Sequence, residues 1–165
     1  PKARELSERI GDEALAVAIA AQAVDRAMRL RTKAHLPEEW HPGFDAVLAA
    51  FQKYAAGDDD AARTALEPIG LRSPYLEWKL LLRGLMAFSA GDDSRAIENF
   101  QRLSAERLPE RLAAPIRAKI DRDFRAVQTE PALAVLDARY GMLSPVGELV
   151  AGLKALRRDL GRDTP

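Results

Sequence analysis

The chain has 165 residues, with 25 Lys and Arg against 25 Asp and Glu, so its formal net charge is zero. That balance counts against a nucleic-acid or anionic-membrane binder, which carries a basic excess. The absence of Cys excludes disulfides, thiol catalysis and Cys-ligated zinc.

No segment alternates apolar and polar residues over a strand's length, and β-branched runs are few, so an all-α protein is predicted. The most apolar run, Ala14 to Val24, contains Gln22 and falls far short of the roughly 20 residues a bilayer span requires. Lys2, Arg4 and Arg9 before it and Ala21-Gln22-Ala23 at its end imitate a secretory leader. Glu5, Glu8, Asp12 and Glu13, however, stand where a leader is basic. An amphipathic helix is expected instead, from Asp12 as N-cap to about Ala34, with Leu15, Ile19, Val24, Met28 and Leu30 on one side. The chain begins at Pro1 without Met, which reads as a segment of a longer protein.

Leu36 to Gly43 holds two prolines and a glycine and is expected to break the helix. Phe44 to Ala56 reads as the first helix of a hairpin. Gly57 suits its left-handed end, and Asp58 or Asp59 caps the next helix, which runs to about Ile69. Ser73 and Pro74 fit the N-cap and first helical position of a helix reaching Ala90. Gly91-Asp92-Asp93 repeats the turn, and Ser94 to Leu103 repeats the second helix. Pro109 to about Val127 reads as one helix, with Pro115 near its start or at a kink. Thr129-Glu130-Pro131 opens a helix ending at Gly141, and Ser144-Pro145 opens a last one ending near Gly161. About eight helices joined by short loops fit antiparallel hairpins stacked in sequence.

Two stretches repeat each other. Gly57 and Gly91 are 34 residues apart, and so are Tyr54 and Phe88, Asp58 and Asp92, Asp59 and Asp93, Ala62 and Ala96, Leu66 and Phe100, and Ile69 and Leu103. A fixed period of this length in a helical pattern marks a stacked repeat, whose units cannot bury their apolar faces alone.

The repeat resembles the tetratricopeptide repeat, a helix-turn-helix unit. Gly84 matches the small residue that lets the two helices approach, Gly91 and Asp92 the Gly-Asp turn, Ala96 the small residue of the second helix, and Phe100 its aromatic. Ala50, Gly57, Asp58, Ala62 and Leu66 match the same places in the earlier copy, and Pro74 matches the proline that closes a unit. Units over Gly43–Leu76 and Glu77–Glu110 follow, with a degenerate unit over 111–141 and a capping helix over 144–161, all in one domain. The chain departs from the pattern at Trp78, two residues early, at Arg83 in place of an apolar residue, and at Ala87. The aromatic expected at Ala87 comes one residue later, as Phe88.

The resemblance implies a short superhelix of helical hairpins and a partner on its concave face, lined by the first helix of each unit. The matching residues are Phe44, Val47, Phe51, Tyr54 and Ala55, then Trp78, Leu81, Leu85, Phe88 and Ser89. Nearly all are apolar, which suits a partner's amphipathic helix or peptide. An open patch of this kind is a liability on a soluble protein, so the long N-terminal helix is expected to cover it. The clamp by which some family members grip acidic chaperone tails is absent. Its Lys and Asn places hold Val47, Leu81, Phe51 and Leu85.

Arg72, Lys79 and Arg83 form a basic edge that could take an acidic peptide. Arg111, Arg117, Lys119, Arg122 and Arg125 decorate a later helix. Mixed charge of this kind reads first as a solvated face, paired here with Glu77, Glu110, Asp121 and Asp123. His35 and His41 flank prolines and lack the helical spacing of a zinc site, and Asp58-Asp59-Asp60 lacks the alternating ligands of a calcium loop. No metal or cofactor is expected. No serine stands in a nucleophile elbow, and no glycine-rich phosphate loop occurs.

The expected function is therefore not enzymatic: a protein-interaction scaffold or adaptor in the cytoplasm, away from membranes, binding through apolar burial with Trp78, Tyr54, Phe51 and Phe88 as hot spots. Self-association, RNA binding by a helical repeat of similar length, and service as an accessory domain of a larger enzyme are the alternatives.

Overall fold

The computed structural model describes residues 13–143, all helical: eight α-helices, one 3-10 turn and no strand among the described residues. Asp12 and the helix expected from Ser144 lie outside them. The chain falls into two compact units that divide between Ala113 and Ala114.

The first unit opens with α1, Glu13–Leu30. Its buried residues are Ala21, Val24, Asp25, Ala27 and Met28, while Leu15 and Leu30, expected on the apolar side, are 41% and 51% exposed. Small residues dominate the buried stripe, so the helix contacts its neighbours closely over its second half only. It also ends four residues earlier than expected. Arg31 takes a left-handed φ of 51°, its N–H donates to the Met28 carbonyl at 3.3 Å, and the Thr32 N–H reaches back to Ala27 at 3.1 Å. This is a Schellman ending with arginine at the position that favours glycine. Arg31→Gly is expected to raise stability by about 1 kcal/mol by relieving the side-chain clash of that conformation. Arg31→Ala, which keeps the clash, is not. Urea denaturation of the two variants checks this, and equal midpoints would refute it.

A 3-10 turn, Glu38–Trp40, leads into α2, His41–Ala55. Pro42 and Gly43, expected before the helix, lie inside its first turn, where a missing N–H costs nothing. The helix α3, Asp59–Ala65, completes a hairpin with α2. A second hairpin follows from α4, Leu76–Ser89, and α5, Asp93–Phe100. The α4 helix starts at Leu76 rather than Ser73; the Ser73 hydroxyl accepts the Tyr75 N–H in the turn ahead of it. Helices α2 and α4 pack side by side, and α1 rests on α2.

The two hairpin turns are the same object built twice. Gly57 and Gly91 have φ of 79° and 76°. Asp58 N–H reaches Lys53 O at 3.0 Å, and Asp92 N–H reaches Ala87 O at 2.9 Å. Each aspartate then turns its own carboxylate to the next helix, accepting from Ala61 or Arg95 N–H at 3.0 Å. One residue thus closes one helix and caps the next, and the cap is Asp58 rather than Asp59.

Inside the second hairpin, Gly84 is needed for space. A Cβ there would lie 2.2 Å from a ring carbon of the buried Phe100. The first hairpin holds Ala50 and Leu66 at the corresponding places, both fully buried. The larger residue has moved from one helix to the other, so the pair's volume is roughly kept.

The helix α6 runs Leu108–Ile120 and contains Pro115. The stretch expected as a single helix to Val127 breaks at Asp121, whose extended backbone (φ −101°, ψ 103°) starts α7, Arg122–Ala126. Asp121 is buried and accepts from Phe124 N–H and Arg117 Nε, each at 3.0 Å. Burial alone would raise its pKa; the Phe124 amide and Arg117 overcome that and hold the carboxyl below its ordinary value. In the second unit, α8, Glu130–Leu143, brings Asp137 to a two-pronged pair with Arg125 at 3.0 Å on both arms. Of the pairings expected for this basic region, Arg117 with Asp121 forms, while Arg125 selects Asp137.

Candidate partner-binding surface

On α2, Phe44, Val47, Phe51 and Tyr54 recur at helical spacing and share one stripe, and Trp78, Leu81, Leu85 and Phe88 do the same on α4. The structure divides the two stripes crosswise. Phe44, Val47, Trp78 and Leu81 are buried, at 4% exposure or less. Phe51, Tyr54, Leu85 and Phe88, toward the helix C-termini, are half-buried. The half-buried band is ordered by its own contacts. Phe51 meets Trp78 edge to face at 6.1 Å between ring centres. The Tyr54 hydroxyl lies 2.7 Å from Ser89 Oγ and donates to Leu85 O at 3.5 Å, which ties α2 to α4.

Burial removes Trp78 from the set of partner hot spots. Its indole N–H donates to Asp25 Oδ1 on α1 at 2.9 Å. The N-terminal helix therefore meets this surface at Trp78, through the Asp25 carboxylate.

Asp25 is the centre of a buried cluster. Arg107 closes on it as a fork, Nε to Oδ2 at 2.9 Å and Nη2 to Oδ1 at 2.7 Å, and Leu108 N–H donates to Oδ2 at 2.9 Å. With Trp78, the carboxylate accepts four hydrogen bonds, its full capacity. Arg107 also reaches Glu77 Oε1 at 3.3 Å, and Glu77 receives the hydroxyl and N–H of Ser104 at 2.9 and 3.0 Å. Asp25 and Arg107 are 6% and 8% exposed. Burying both charges is costly, and only full pairing offsets it. With every acceptor site on Asp25 filled, the cluster acts as a strut between α1, α4 and the start of α6. No local pattern marks Asp25, Ser104 or Arg107 in the sequence; their partners lie far away along the chain.

The basic edge is not one site. Lys79 Nζ donates to Ile69 O at 2.7 Å, closing the loop after α3. Partial burial lowers its pKa, and Arg83 nearby adds to that. Arg72 and Arg83 are exposed. Arg83 lines a groove of 630 Å³ with Arg63 and Arg95, but Glu67, Asp92 and Glu98 line it too, so its charge is balanced. At the start of α2, His41 Nε2 is 3.2 Å from the Leu36 carbonyl.

No helix among the described residues is long and apolar enough to cross a membrane. Comparison with protein-family models, with curated proteins and with solved structures returns no match for this chain.

Proposed function

We propose that the chain is a protein-interaction module, built from stacked helical hairpins of the tetratricopeptide type, that binds a partner helix or peptide on the half-buried band of Phe51, Tyr54, Leu85 and Phe88. One observation carries this reading. Two consecutive hairpins place aromatic and aliphatic residues in the same 34-residue register, and the C-terminal half of that surface keeps part of its area open to solvent. Aromatic side chains so placed offer large contact area at small entropy cost, the property of interface anchors.

Phe88→Glu is expected to weaken capture of a specific partner by about 30-fold, the loss of one hot spot. Val127→Glu, at a side chain 79% exposed in the second unit, serves as the control and is expected to change nothing. Quantitative pull-down with both variants, after circular dichroism shows each to be folded, is the test. Equal recovery of the same partners by Phe88→Glu and by the unaltered chain would remove the band as the binding surface.

A further inference from the structure

The first unit holds a second groove, of 340 Å³, along the seam between α1 and the start of α6. Arg26 and Arg29 line one wall, and Glu106, Leu108 and Arg111 the other, with Asp25 at the base. The three arginines are exposed, and none has an ion pair or a side-chain hydrogen bond among the described residues. Four other cations of this unit are engaged, Lys33 with Asp45, Arg63 with Asp59 and Asp60, Lys79 with Ile69 O, and Arg107 with Asp25, while Arg72, Arg83 and Arg102 are exposed but do not share a groove of this kind with one another. The Asp25 charge is met by Arg107, with which Glu77 also pairs, so the cluster at the base carries one net negative charge. Against it and Glu106, the exposed Arg26, Arg29 and Arg111 leave the groove with a local charge of about +1 on a chain whose net charge is zero.

We infer that this groove binds an acidic segment of a partner polypeptide, the three guanidinium groups receiving its carboxylates. The inference rests on the interaction-module reading and adds to it a second contact of opposite character. Arg26 and Arg29 are one helical turn apart, about 5 Å along the axis. Alternate side chains of an extended segment are spaced about 7 Å, within the swing of two flexible arginines. Arginine forks suit carboxylates in particular, since two parallel N–H groups meet two oxygens. A long polyanion fits less well. The groove offers three exposed cations, and counterion release needs many phosphate contacts. The arginine groove on the α4–α5 side differs for the same reason it was set aside above: its carboxylates already balance it.

The test titrates the full chain into a fluorescein-labelled hexapeptide of alternating Asp and Glu, read by fluorescence anisotropy, with the Asn and Gln hexapeptide as its neutral control. The acidic peptide is expected to bind and the neutral one not to. Binding should weaken markedly between about 50 and about 300 mM salt, as screening predicts. Each of Arg26→Gln, Arg29→Gln and Arg111→Gln should cost about threefold in affinity, and the triple variant about 30-fold. Because these side chains are exposed and unpaired, the triple variant should keep the melting temperature of the unaltered chain. Arg72→Gln with Arg83→Gln should bind as the unaltered chain does. Equal binding by the triple variant would overturn the inference, and so would equal binding of the two peptides. Tighter binding of an oligouridylate of the same length would overturn it in favour of nucleic acid. A partner that loses affinity for Phe88→Glu but not for the triple arginine variant would leave the proposed function standing and this inference refuted.

Discussion

Asp25→Ala is expected to destabilise the first unit by about 3–5 kcal/mol, the cost of leaving a buried charge without its partner. The substitution strands the Arg107 guanidinium at 8% exposure and removes the acceptor for Trp78 Nε1 and Leu108 N–H at once. Against a typical total of 5–15 kcal/mol, that loss is a large share of folding stability. Asp25→Asn should be nearly as harmful despite its shape, because its amide N–H₂ would face donors from Arg107 or Leu108. Pairing Asp25→Leu with Arg107→Leu removes both charges and should recover roughly half of the loss, leaving the indole and the Leu108 amide unpaired. Urea denaturation followed by circular dichroism measures all of these. A stability for Asp25→Ala within about 1 kcal/mol of the unaltered chain would show that the cluster is not the strut described.

The second large effect is expected at Gly84. Alanine there normally gains about 1 kcal/mol in a helix interior. Here its Cβ would fall 2.2, 2.7 and 2.8 Å from three carbons of the Phe100 ring. Phe100 is fully buried, so the ring has nowhere to go and the helices of the hairpin must separate. Overpacking outweighs the propensity gain, and Gly84→Ala should lose about 2 kcal/mol. Phe100→Leu alone leaves a cavity and should lose a similar amount. Together the two changes recreate the Ala50 and Leu66 pair of the first hairpin. The double variant should return to within about 1 kcal/mol of the unaltered chain, a coupling that a double-mutant cycle reads directly. Additive losses would mean that the two hairpins do not share one packing rule.

The hairpins were legible in the sequence because their turns rest on residues with little choice. Only glycine takes a φ near +80° cheaply, so Gly57 and Gly91 mark the turn by themselves, and the aspartate after each has one evident task. Where the backbone solution was less usual, the signal failed. Arg31 ends α1 in a left-handed conformation that no arginine announces, and the helix was read past it. Asp121 breaks α6 from α7 within a run of charged residues that has no glycine or proline at the break. The apolar stripes were half legible. Helical spacing groups their residues on α2 and α4, but periodicity cannot say which half another helix covers. Trp78 looked like an anchor for a partner because the carboxylate that claims it, Asp25, lies 53 residues earlier. Among 25 acidic and 25 basic residues, nothing local distinguishes the pair that ends up buried.

The reach of the Asp25 cluster also bears on the order in which the molecule assembles. The two hairpins close through neighbours along the chain, and such local contacts form fast. Asp25 must wait for Trp78, 53 residues on, and for Arg107 and Leu108, 82 and 83 residues on. Until those residues leave the ribosome, the Asp25 carboxylate has nothing to offset its dehydration. Its hydrogen bonds are thus completed only after both hairpins have been made, and the Trp78 indole N–H on the nascent chain lacks its acceptor until α1 brings Asp25 to it.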